Sequence, residues 1–375
     1  ATVLHHGSVS LQSFTDTQDE GRGHQELREM RERWLSVLAN DPAFNRNLSL
    51  LRRDVRVDID IDARWDPNFH ERQRIMGFGA GSYGGWKYRV DQPLSALDEL
   101  GYAQTAMGQF YSRQVRVPTI AELERLAPDV LLMHNTLHDS HLEAIATYKK
   151  HHSALVVFGE DDLMFALPRS NPYFKTVYKD MKKRMRRALG LVDRVVVSTG
   201  PLAEALAGMA DDVRVVPNYL RKNVWDGLHC QRRRGVKPRV GWAGAQQHGG
   251  DLAIIAEVVR ETADEVDWIF FGMCPESIRP HVKEFHSAVP FSDYPDKLAS
   301  LDLDLAVAPL ERNRFNEAKS NLRLLEYGIL GWPVIASDIF PYQEGPVCRV
   351  ANNPSAWARA IRERVNDLDA LAREG

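Results

Sequence analysis

The chain has 375 residues, of which 44% are hydrophobic and 26% are charged, and its formal net charge is −3. This length favours two domains over one, and the nearly balanced charge argues against a general nucleic-acid-binding protein. The three cysteines form no CxxC pair, so neither a disulfide framework nor a cysteine zinc site is indicated. The sequence contains neither an apolar run of membrane-spanning length nor a signal-peptide pattern. Because the cysteines suggest no disulfide framework, we expect a reducing cytoplasm as the compartment.

The amino-terminal residues 1–73 differ in composition from the rest of the chain. Residues 20–38 are heavily charged but place Leu27 and Trp34 among apolar residues at helical spacing, which predicts a helix. Residues 45–66 are polar and are predicted to be extended. Because this segment has too little apolar content to form a core of its own, we expect it to be an arm or linker that packs on a neighbouring domain.

From residue 74 onward, short apolar strands alternate with helices. The predicted strands of this first unit cover 75–80, 129–133, 154–158, 194–198 and 213–216. The predicted helices cover 92–100, 140–150, 173–189 and 201–207. This alternation predicts a doubly wound parallel sheet, in which ligands bind outside the carboxyl ends of the strands.

A glycine-rich loop, residues 79–85, follows the first of these strands. It does not match the dinucleotide-binding fingerprint in register. Its position between a strand and a helix favours close approach of the backbone to a ligand, and a plain flexible turn is the alternative. The residues that we assign to the mouth of a cleft here are Gly81, Ser82, Tyr83, Gly84 and, as an added positive charge, Arg89.

Three adjacent carboxylates, Glu160, Asp161 and Asp162, follow the predicted strand 154–158. At the carboxyl edge of a sheet they can hold a base, orient an acceptor hydroxyl or bind a divalent ion. The alternative is a helix cap within a solvated acidic loop. Their location favours a functional role, and we assign Asp161 and Asp162 as catalytic candidates and Glu160 to the acceptor cleft.

Three histidines, His134, His138 and His141, suggest a metal site at first sight. Two of them have the i, i+4 spacing that fits one helix face. No matching carboxylate or fourth ligand accompanies them, and histidines on a polar helix are common. We therefore predict no metal site in this chain.

The predicted helix 173–189 is strongly basic. Between Lys175 and Arg187 it carries seven cations, opposed only by Asp180. Met181 and Met185 contribute to an apolar stripe. The default interpretation is a solvated helix packed on its sheet. The alternative is a surface that contacts an anionic membrane or a polyanionic substrate.

A cluster of arginines and lysines marks a change of composition, and we place a domain boundary near residues 218–237. The elements predicted beyond it are strands at 239–243, 268–271, 305–309 and 334–336 and helices at 252–262, 294–300 and 355–372. This second alternation predicts a second doubly wound parallel sheet. The ligand cleft is then expected between the two domains.

Residues 241–251 contain the first strand of the second unit and a turn of small residues. Gly244 lets the backbone come close to a phosphate or a sugar. His248 and Asp251 stand at the start of the next helix and are assigned to ligand binding. The alternative is that Asp251 only caps the helix and His248 has no role.

Residues 316–338 read as a polar loop, a short helix and a buried strand. Ser320 is predicted to cap the helix through a free amide of the first turn. Leu322, Leu325 and Ile329 recur at helical spacing and are predicted to form the inward face. The apolar residues that follow predict a buried parallel strand.

The polar residues of the same stretch suit a charged ligand. Lys319 and Ser320, with Asn316 and Asn321 beside them, stand at the positive end of a helix dipole, where a diphosphate is stabilised. Glu326 follows Lys319 by seven residues and projects from nearly the same side, where its carboxylate can accept two hydrogen bonds from a sugar diol. The alternative is an ordinary surface helix with solvated charges.

Taken together, these motifs resemble the two-domain glycosyltransferases of the GT-B fold, specifically the group-1 (family 4) set. Residues 316–338 resemble that family's nucleotide-sugar motif, and residues 241–251 resemble its first phosphate loop. Residues 158–163, 194–202 and 215–218 resemble a subgroup that is common in bacterial surface-polysaccharide clusters.

The resemblance implies two Rossmann-like domains that face each other across a cleft. The implied segments are an arm at 1–73, an acceptor domain at 74–220, a nucleotide-sugar domain at 221–352 and a final helix at 353–375. The implied activity is transfer of a hexosyl or deoxyhexosyl group from a nucleoside diphosphate sugar to a glycan hydroxyl, with retention of configuration. It implies no metal cofactor.

One position departs from the family pattern. Many members carry two glutamates separated by seven residues, and Glu326 matches the second while Ala318 stands at the first. Lys319 or Glu317 is the candidate to replace that role. The rival functions are a sugar-nucleotide epimerase of the same fold and a catalytically degenerate domain that binds glycan or serves as a scaffold.

The amino-terminal segment carries a resemblance of its own. Residues 4–10 and 41–49 are similar to the tail of a family 2 glycosyltransferase domain. We therefore expect the chain to be the downstream part of a longer polypeptide with two transferases.

Overall fold

The structure is a computed structural model. It describes residues 17–50, 56–57, 65, 71–79, 84–108, 110–111, 114–115, 118–177, 179–232 and 235–375. Two six-stranded parallel sheets dominate it, together with a two-stranded antiparallel pair, β3 (Phe110–Tyr111) and β4 (Gln114–Val115). The alternation of strands and helices in the sequence thus predicted the correct fold class.

The first sheet has the strand order β2-β1-β5-β6-β7-β8, with every neighbouring pair parallel. Its strands are β1 (Gln73–Gly79), β2 (Ala103–Met107), β5 (Val130–His134), β6 (Leu155–Glu160), β7 (Arg194–Val197) and β8 (Val213–Val215). Its helices are α2 (Gly84–Trp86), α3 (Gln92–Glu99), α4 (Ile120–Leu126), α5 (Asp139–His151), α6 (Met181–Leu189) and α7 (Gly200–Leu206), with a π-helical segment, Lys87–Asp91, between α2 and α3.

The second sheet has the order β11-β10-β9-β12-β13-β14 and is also parallel throughout. Its strands are β9 (Arg239–Ala243), β10 (Asp267–Gly272), β11 (Glu284–Ser287), β12 (Leu305–Ala308), β13 (Val334–Ser337) and β14 (Cys348–Val350). The helices of this part are α8 (Lys222–Trp225), α9 (Gly249–Ala253), α10 (Ala256–Thr262), α11 (Tyr294–Ala299), α12 (Arg314–Glu317), α13 (Leu322–Ile329), α14 (Pro354–Val365) and α15 (Leu368–Glu374).

Each sheet has a point where the direction of winding reverses. In the first sheet this point lies between β1 and β5, and in the second it lies between β9 and β12. Ligands of open α/β sheets bind in the crevice beyond the strand ends at such a point. The four strands end at Gly79, His134, Ala243 and Ala308, and these ends locate the candidate site.

Buried apolar strands hold each sheet between its helices. β9, β12 and β13 are buried along their whole length, as parallel strands covered on both faces should be. Large aromatic side chains fill the second core, with Trp242 and Trp268 on one side of the sheet and Phe271 and Trp332 on the other. The two layers fix the strand ends from which the site is built.

The prediction of one long basic helix at 173–189 is wrong. The structure has a 3₁₀ turn at Pro172–Lys175 and then only the nine residues of α6. Met181 and Met185 are buried against the first sheet, whereas Tyr173 and Phe174 are exposed and give no inward face to extend the helix.

The predicted carboxyl-terminal helix also divides in two. Asp367 accepts hydrogen bonds from the amides of Asp369 and Ala370 and so caps a new helix. The predicted helix 252–262 divides into α9 and α10 in the same region of the second domain.

The described part of the amino-terminal arm packs on the first domain. Helix α1 (Thr17–Ala39) lies against α4. The buried guanidinium of Arg125 donates to the carbonyl of Ala39 at 2.7 Å and to that of Leu48 at 2.9 Å, and the Trp65 indole donates to the carbonyl of Leu126. Backbone acceptors of the arm are thus bound by one side chain of α4.

The predicted limits of the four segments remain predictions. The first sheet ends at Val215 and the second begins at Arg239. Across the described ranges, none of the helices combines the length and the apolar character that crossing a bilayer requires.

Candidate active site

The carboxyl ends of the two sheets face each other, and side chains join them directly. The ammonium of Lys319 lies 3.0 Å from Oδ1 of Asp162. Beside this pair, the hydroxyl of Thr199 donates to the carbonyl of Ala318 at 2.7 Å. Ala318 therefore contacts the first domain through its backbone. The sequence-predicted acidic and basic candidates are therefore brought together across one cleft.

A π-helical segment carries two residues of the first domain into this cleft. π-Helical turns are rare and often occur at functional sites. Tyr88 donates from its hydroxyl to Oε1 of Glu326 at 2.6 Å. Arg89, predicted at the mouth, is instead buried, and its Nη1 donates to the carbonyl of Val216 and to Oδ1 of Asn218.

The carboxylate of Glu326 is buried and fully occupied. Its second oxygen accepts a hydrogen bond from the hydroxyl of Tyr294 at 3.0 Å. Burial raises the pKa of Glu326 above its ordinary value, opposed by the hydrogen bond from Tyr88 and by the charge of Arg323. A carboxylate with two convergent donors is suited to bind a diol, which would replace them.

The predicted inward face of helix α13 is wrong. Glu326 and Tyr327 are its buried residues, whereas Ile329 is 50% exposed. The helix packs its polar face inward because Tyr327 accepts a hydrogen bond from the amide of Ala243, at the end of β9. The spacing of apolar residues along a helix does not reveal a face that is buried through polar contacts.

The predicted cap of the same helix is also wrong. Asn321 is the N-cap residue, without a side-chain capping bond, and Ser320 lies one residue earlier. The hydroxyl of Ser320 accepts a hydrogen bond from Nδ2 of Asn218 at 2.8 Å. Ser320 therefore joins the two domains.

Arg323 is a site residue that the sequence reasoning missed. Its guanidinium donates to the carbonyl of Ala243 and lies 5.3 Å from the centre of the Trp242 ring. It stands in the first turn of α13, four residues after Lys319, and a second cation so close in sequence to the predicted diphosphate site was the available signal. Lys319 and Arg323 place two positive charges beside the end of β9.

A network of polar contacts stabilises the loop after β9. One carboxylate oxygen of Asp251 lies 2.7 Å from Nδ1 of His248, and the other accepts from the amide of Glu311 and from Nδ2 of Asn316. Asp251 thus connects the loop after β9 with the loop after β12. The alternative in which Asp251 only caps a helix is therefore excluded. Burial lowers the pKa of His248 to about 4, so its ring is neutral at neutral pH.

Two glycines keep the end of β9 free of side chains. A Cβ on Gly244 would lie 2.5 Å from the Trp242 ring. Gly272 has φ +88°, and a Cβ there would lie 2.4 Å from the carbonyl oxygen of Gly244. A side chain at either position would displace the Trp242 ring or the loop backbone, so this close packing at the end of β9 requires glycine.

The acidic residues occupy three different environments. Glu160 ends strand β6, is fully buried, and accepts from the amides of Asp161 and Asp162 through Oε1. Burial raises its pKa well above the ordinary value. Asp161 faces Nε2 of His134 at 3.4 Å, and Asp162 faces Lys319. A solvated acidic loop does not describe this arrangement.

The three histidines do not converge on one point. His134 ends β5 and faces Asp161, while His138 accepts from the amide of Ser140 at the start of α5. His141 lies with its ring 5.7 Å from that of His138. Within the part of the chain that the structure describes, no three His, Cys, Asp or Glu side chains are grouped to hold a metal ion.

The cleft is closed in this structure. A cavity of only about 10 Å³ lies between the domains, lined among others by Ser170, His248, Asn316 and Lys319. The hydroxyl of Ser170 donates to Oε2 of Glu311 across it. Ligand pockets are usually of about 300–1,000 Å³, so a ligand of nucleotide size would fit here only if the domains opened.

Gly84 is one of the residues predicted at the mouth of the cleft. It begins helix α2, and a Cβ at this position would meet no other atom within 4 Å. The predictions for Gly81, Ser82 and Tyr83 fall outside the described residues, as do residues 4–10.

No family model and no curated protein matches the sequence. Among solved structures, Anabaena Alr3699/HepE in complex with UDP and glucose is similar at 12% identity, covering 81% of this chain and 92% of that one with a TM-score of 0.53. An alpha-glucosyltransferase in complex with UDP and DNA is similar at 10% identity, covering 81% of this chain and 93% of that one with a TM-score of 0.54.

TarM is similar at 16% identity over 67% of this chain with a TM-score of 0.47, and the chain spans about half (51%) of its length. At such identities the likeness is one of fold. The protein has the GT-B glycosyltransferase fold: two Rossmann-like α/β domains, each with a six-stranded parallel sheet, and an amino-terminal arm.

Proposed function

We propose that this protein is a glycosyltransferase that moves a sugar from a nucleoside diphosphate sugar to the hydroxyl of a glycan. The observation that carries the proposal is the contact between Lys319 and Asp162 across the cleft. It joins a cation suited to the donor diphosphate to carboxylates suited to the acceptor, at the switch points of both sheets.

The donor site is formed by the second domain. Lys319 and Arg323 supply positive charge, and the free amides at the start of α13 add hydrogen-bond donors. Glu326 binds the ribose diol through the two oxygens that now accept from tyrosines. Gly244 and His248 approach the phosphates or the sugar, while Asp251 positions His248 together with Asn316.

The chemistry needs charge stabilisation at the leaving group. As the bond from the anomeric carbon to the diphosphate breaks, negative charge grows on the diphosphate, and Lys319 and Arg323 stabilise it. No metal cofactor is required for this. Asp161 and Asp162 orient the acceptor hydroxyl from the opposite side. Closure of the domains excludes water and limits hydrolysis of the donor.

The biological setting is proposed from the sequence resemblance alone. We propose transfer of a hexosyl or deoxyhexosyl group, with retention, in the synthesis of a bacterial surface polysaccharide such as O-antigen or capsule. The acceptor is then a glycan or a lipid-linked glycan. The protein would act in the cytoplasm, at the inner face of the membrane.

We also propose that the surface from Lys175 to Arg187 contacts anionic lipid. The exposed aromatic pair Tyr173 and Phe174 precedes it, and Lys182, Lys183, Arg186 and Arg187 are exposed on α6. Aromatic rings beside cations suit the headgroup region of a bilayer. Neutralising those four cations should abolish co-sedimentation with phosphatidylserine vesicles, and binding that persists would contradict the proposal.

The central experiment compares nucleotide binding and product formation. UDP is tested first, because HepE and the alpha-glucosyltransferase were solved with it, followed by GDP, dTDP and CDP in thermal-shift titrations. Lys319→Ala and Glu326→Ala should each weaken binding of the preferred nucleotide about tenfold or more. Lys283→Ala, on an exposed surface, should bind as the wild type does.

The products distinguish the candidate activities. A transferase joins labelled sugar to an acceptor glycan, whereas an epimerase releases free sugar or epimer without an acceptor. A scaffold domain binds none of the nucleotides. Unchanged affinity and turnover in both variants would overturn the proposed donor site.

A further inference from the structure

Three buried polar atoms without hydrogen-bond partners belong to one cluster at the carboxyl edge of the first sheet. They are Nε2 of His134, Oε2 of Glu160 and Nε of Arg89. Buried polar atoms are nearly always hydrogen-bonded, so a group of such atoms in one place indicates a functional arrangement. The charged atom that His134 faces is Oδ1 of Asp161, at 3.4 Å.

Glycines on neighbouring elements make room for the pair of His134 and Asp161. A Cβ on Gly85 would lie 2.8 Å from Oδ2 of Asp161 and 3.3 Å from Cε1 of His134. A Cβ on Gly159 would lie 3.2 Å from Cδ2 of His134. A side chain at either position would displace the imidazole or the carboxylate. The two glycines therefore leave the space that this pair occupies.

The two aspartates differ in their partners. Asp162 is held by Lys319, which places it on the donor side of the cleft. Asp161 keeps 24% of its side chain exposed and is backed by the buried imidazole of His134. Asp162 is also partly exposed, at 29%, so exposure does not separate the two. What distinguishes Asp161 is that its carboxylate faces an imidazole and not the ammonium of Lys319, and we expect an incoming hydroxyl to meet this carboxylate.

We propose that His134 is a positioning residue that holds the carboxylate of Asp161 in the orientation that accepts a hydrogen bond from the acceptor hydroxyl. The inference rests on the proposed transferase function and names the acceptor-side carboxylate of that site. Asp161 touches the substrate, and His134 acts through it.

The charges around Asp161 come from several elements. His134 faces it from β5, Arg89 from the π-helical segment and Lys319 from the loop before α13, while Glu160 and Asp162 adjoin it in the chain. Burial disfavours the charged form of Asp161, but the close contact with His134 and the charges of Arg89 and Lys319 outweigh it and lower the pKa of Asp161.

The test replaces His134 by alanine and by glutamine. His134→Ala removes the contact, and His134→Gln offers a neutral donor near the position of Nε2. His134→Ala should lower kcat/KM for the acceptor on the order of tenfold or more, with the Kd for UDP unchanged by calorimetry. His134→Gln should restore part of this loss, and exposed His281→Ala should match the wild type.

A carboxyl NMR titration of Asp161 gives a readout that does not need turnover. Its pKa should rise in His134→Ala, and the acid limb of the kcat/KM profile should move to higher pH with it. An unchanged titration in a variant that melts as the wild type does would overturn the inference. A wild type that neither binds nor turns over any nucleotide sugar would overturn the proposed function instead, while the titration still tests the pair.

Discussion

The hydroxyl of Tyr88 in the first domain donates to Oε1 of Glu326 in the second at 2.6 Å. With Tyr294 on the other oxygen at 3.0 Å, two phenols occupy the carboxylate that we propose for the ribose. Burial and the Glu326 carboxylate together raise the pKa of Tyr88, so its hydroxyl remains a donor at neutral pH. Under the proposed function, donor binding therefore competes with this contact between the two domains.

Replacing Tyr88 by phenylalanine should tighten nucleotide binding. The ring keeps its edge contact with Phe291, at 5.4 Å between centroids, while the competing hydrogen bond is lost. Since a hydrogen bond to a charged group contributes about 1.5–3 kcal/mol, we expect the Kd for the preferred nucleotide to fall about tenfold. Tyr102→Phe, at an exposed position, is the control. Weaker binding in Tyr88→Phe would mean that Tyr88 contacts the donor together with Glu326.

Two glycine-to-alanine substitutions separate close approach from helix propensity. Gly244→Ala puts a Cβ against the Trp242 ring at the proposed phosphate loop and should weaken nucleotide binding about tenfold or more. Gly328→Ala, in helix α13, meets no atom within 4 Å and should leave binding unchanged while stabilising the fold by about 0.5–1 kcal/mol. Calorimetry and urea unfolding measure both effects. Equal binding by the two variants would exclude close approach at Gly244.

His248 should make the fold sensitive to mild acid. Burial lowers its pKa from 6.5 to about 4, so between these pH values the unfolded chain binds a proton that the folded one does not. This contribution to stability is therefore lost as the pH falls from about 6.5 to 4. Wild type should lose up to about 3 kcal/mol more than His248→Gln over that range, as measured by urea unfolding. Exposed His281→Gln should follow the wild type, and parallel profiles for all three would contradict the prediction.

Arg125 should contribute strongly to stability through the arm. Its replacement by alanine removes the donors to the carbonyls of Ala39 and Leu48 in a buried setting, and we expect a loss of about 2 kcal/mol in free energy of unfolding. Arg359→Ala removes an ion pair whose arginine side chain is 75% exposed and should change stability by less than about 0.5 kcal/mol. Similar losses in both variants would show that the arm is not held through Arg125.

The sequence predicted the architecture because parallel strands buried on both faces leave a clear apolar signal. The strand at 239–243 was predicted with its observed bounds, and 334–336 differs from β13 by one residue. The edge strands β2, β11 and β14 were missed because they are short and only partly buried. The predicted helix 173–189 was longer than α6, because a run of basic residues does not show where the buried face of a helix ends.

Local periodicity and residue type can be read along the chain, and they were enough to predict two βα-alternating units and to identify Lys319, Glu326, Asp161 and Asp162 as candidates. The contacts of these side chains depend on how distant parts of the chain pack together. Tyr88 and Glu326 are 238 positions apart, and no local pattern encodes such a pair. In helix α13, the tertiary structure buries Glu326 and not the leucines. This is possible because tyrosine hydroxyls from the two domains donate hydrogen bonds to the Glu326 carboxylate.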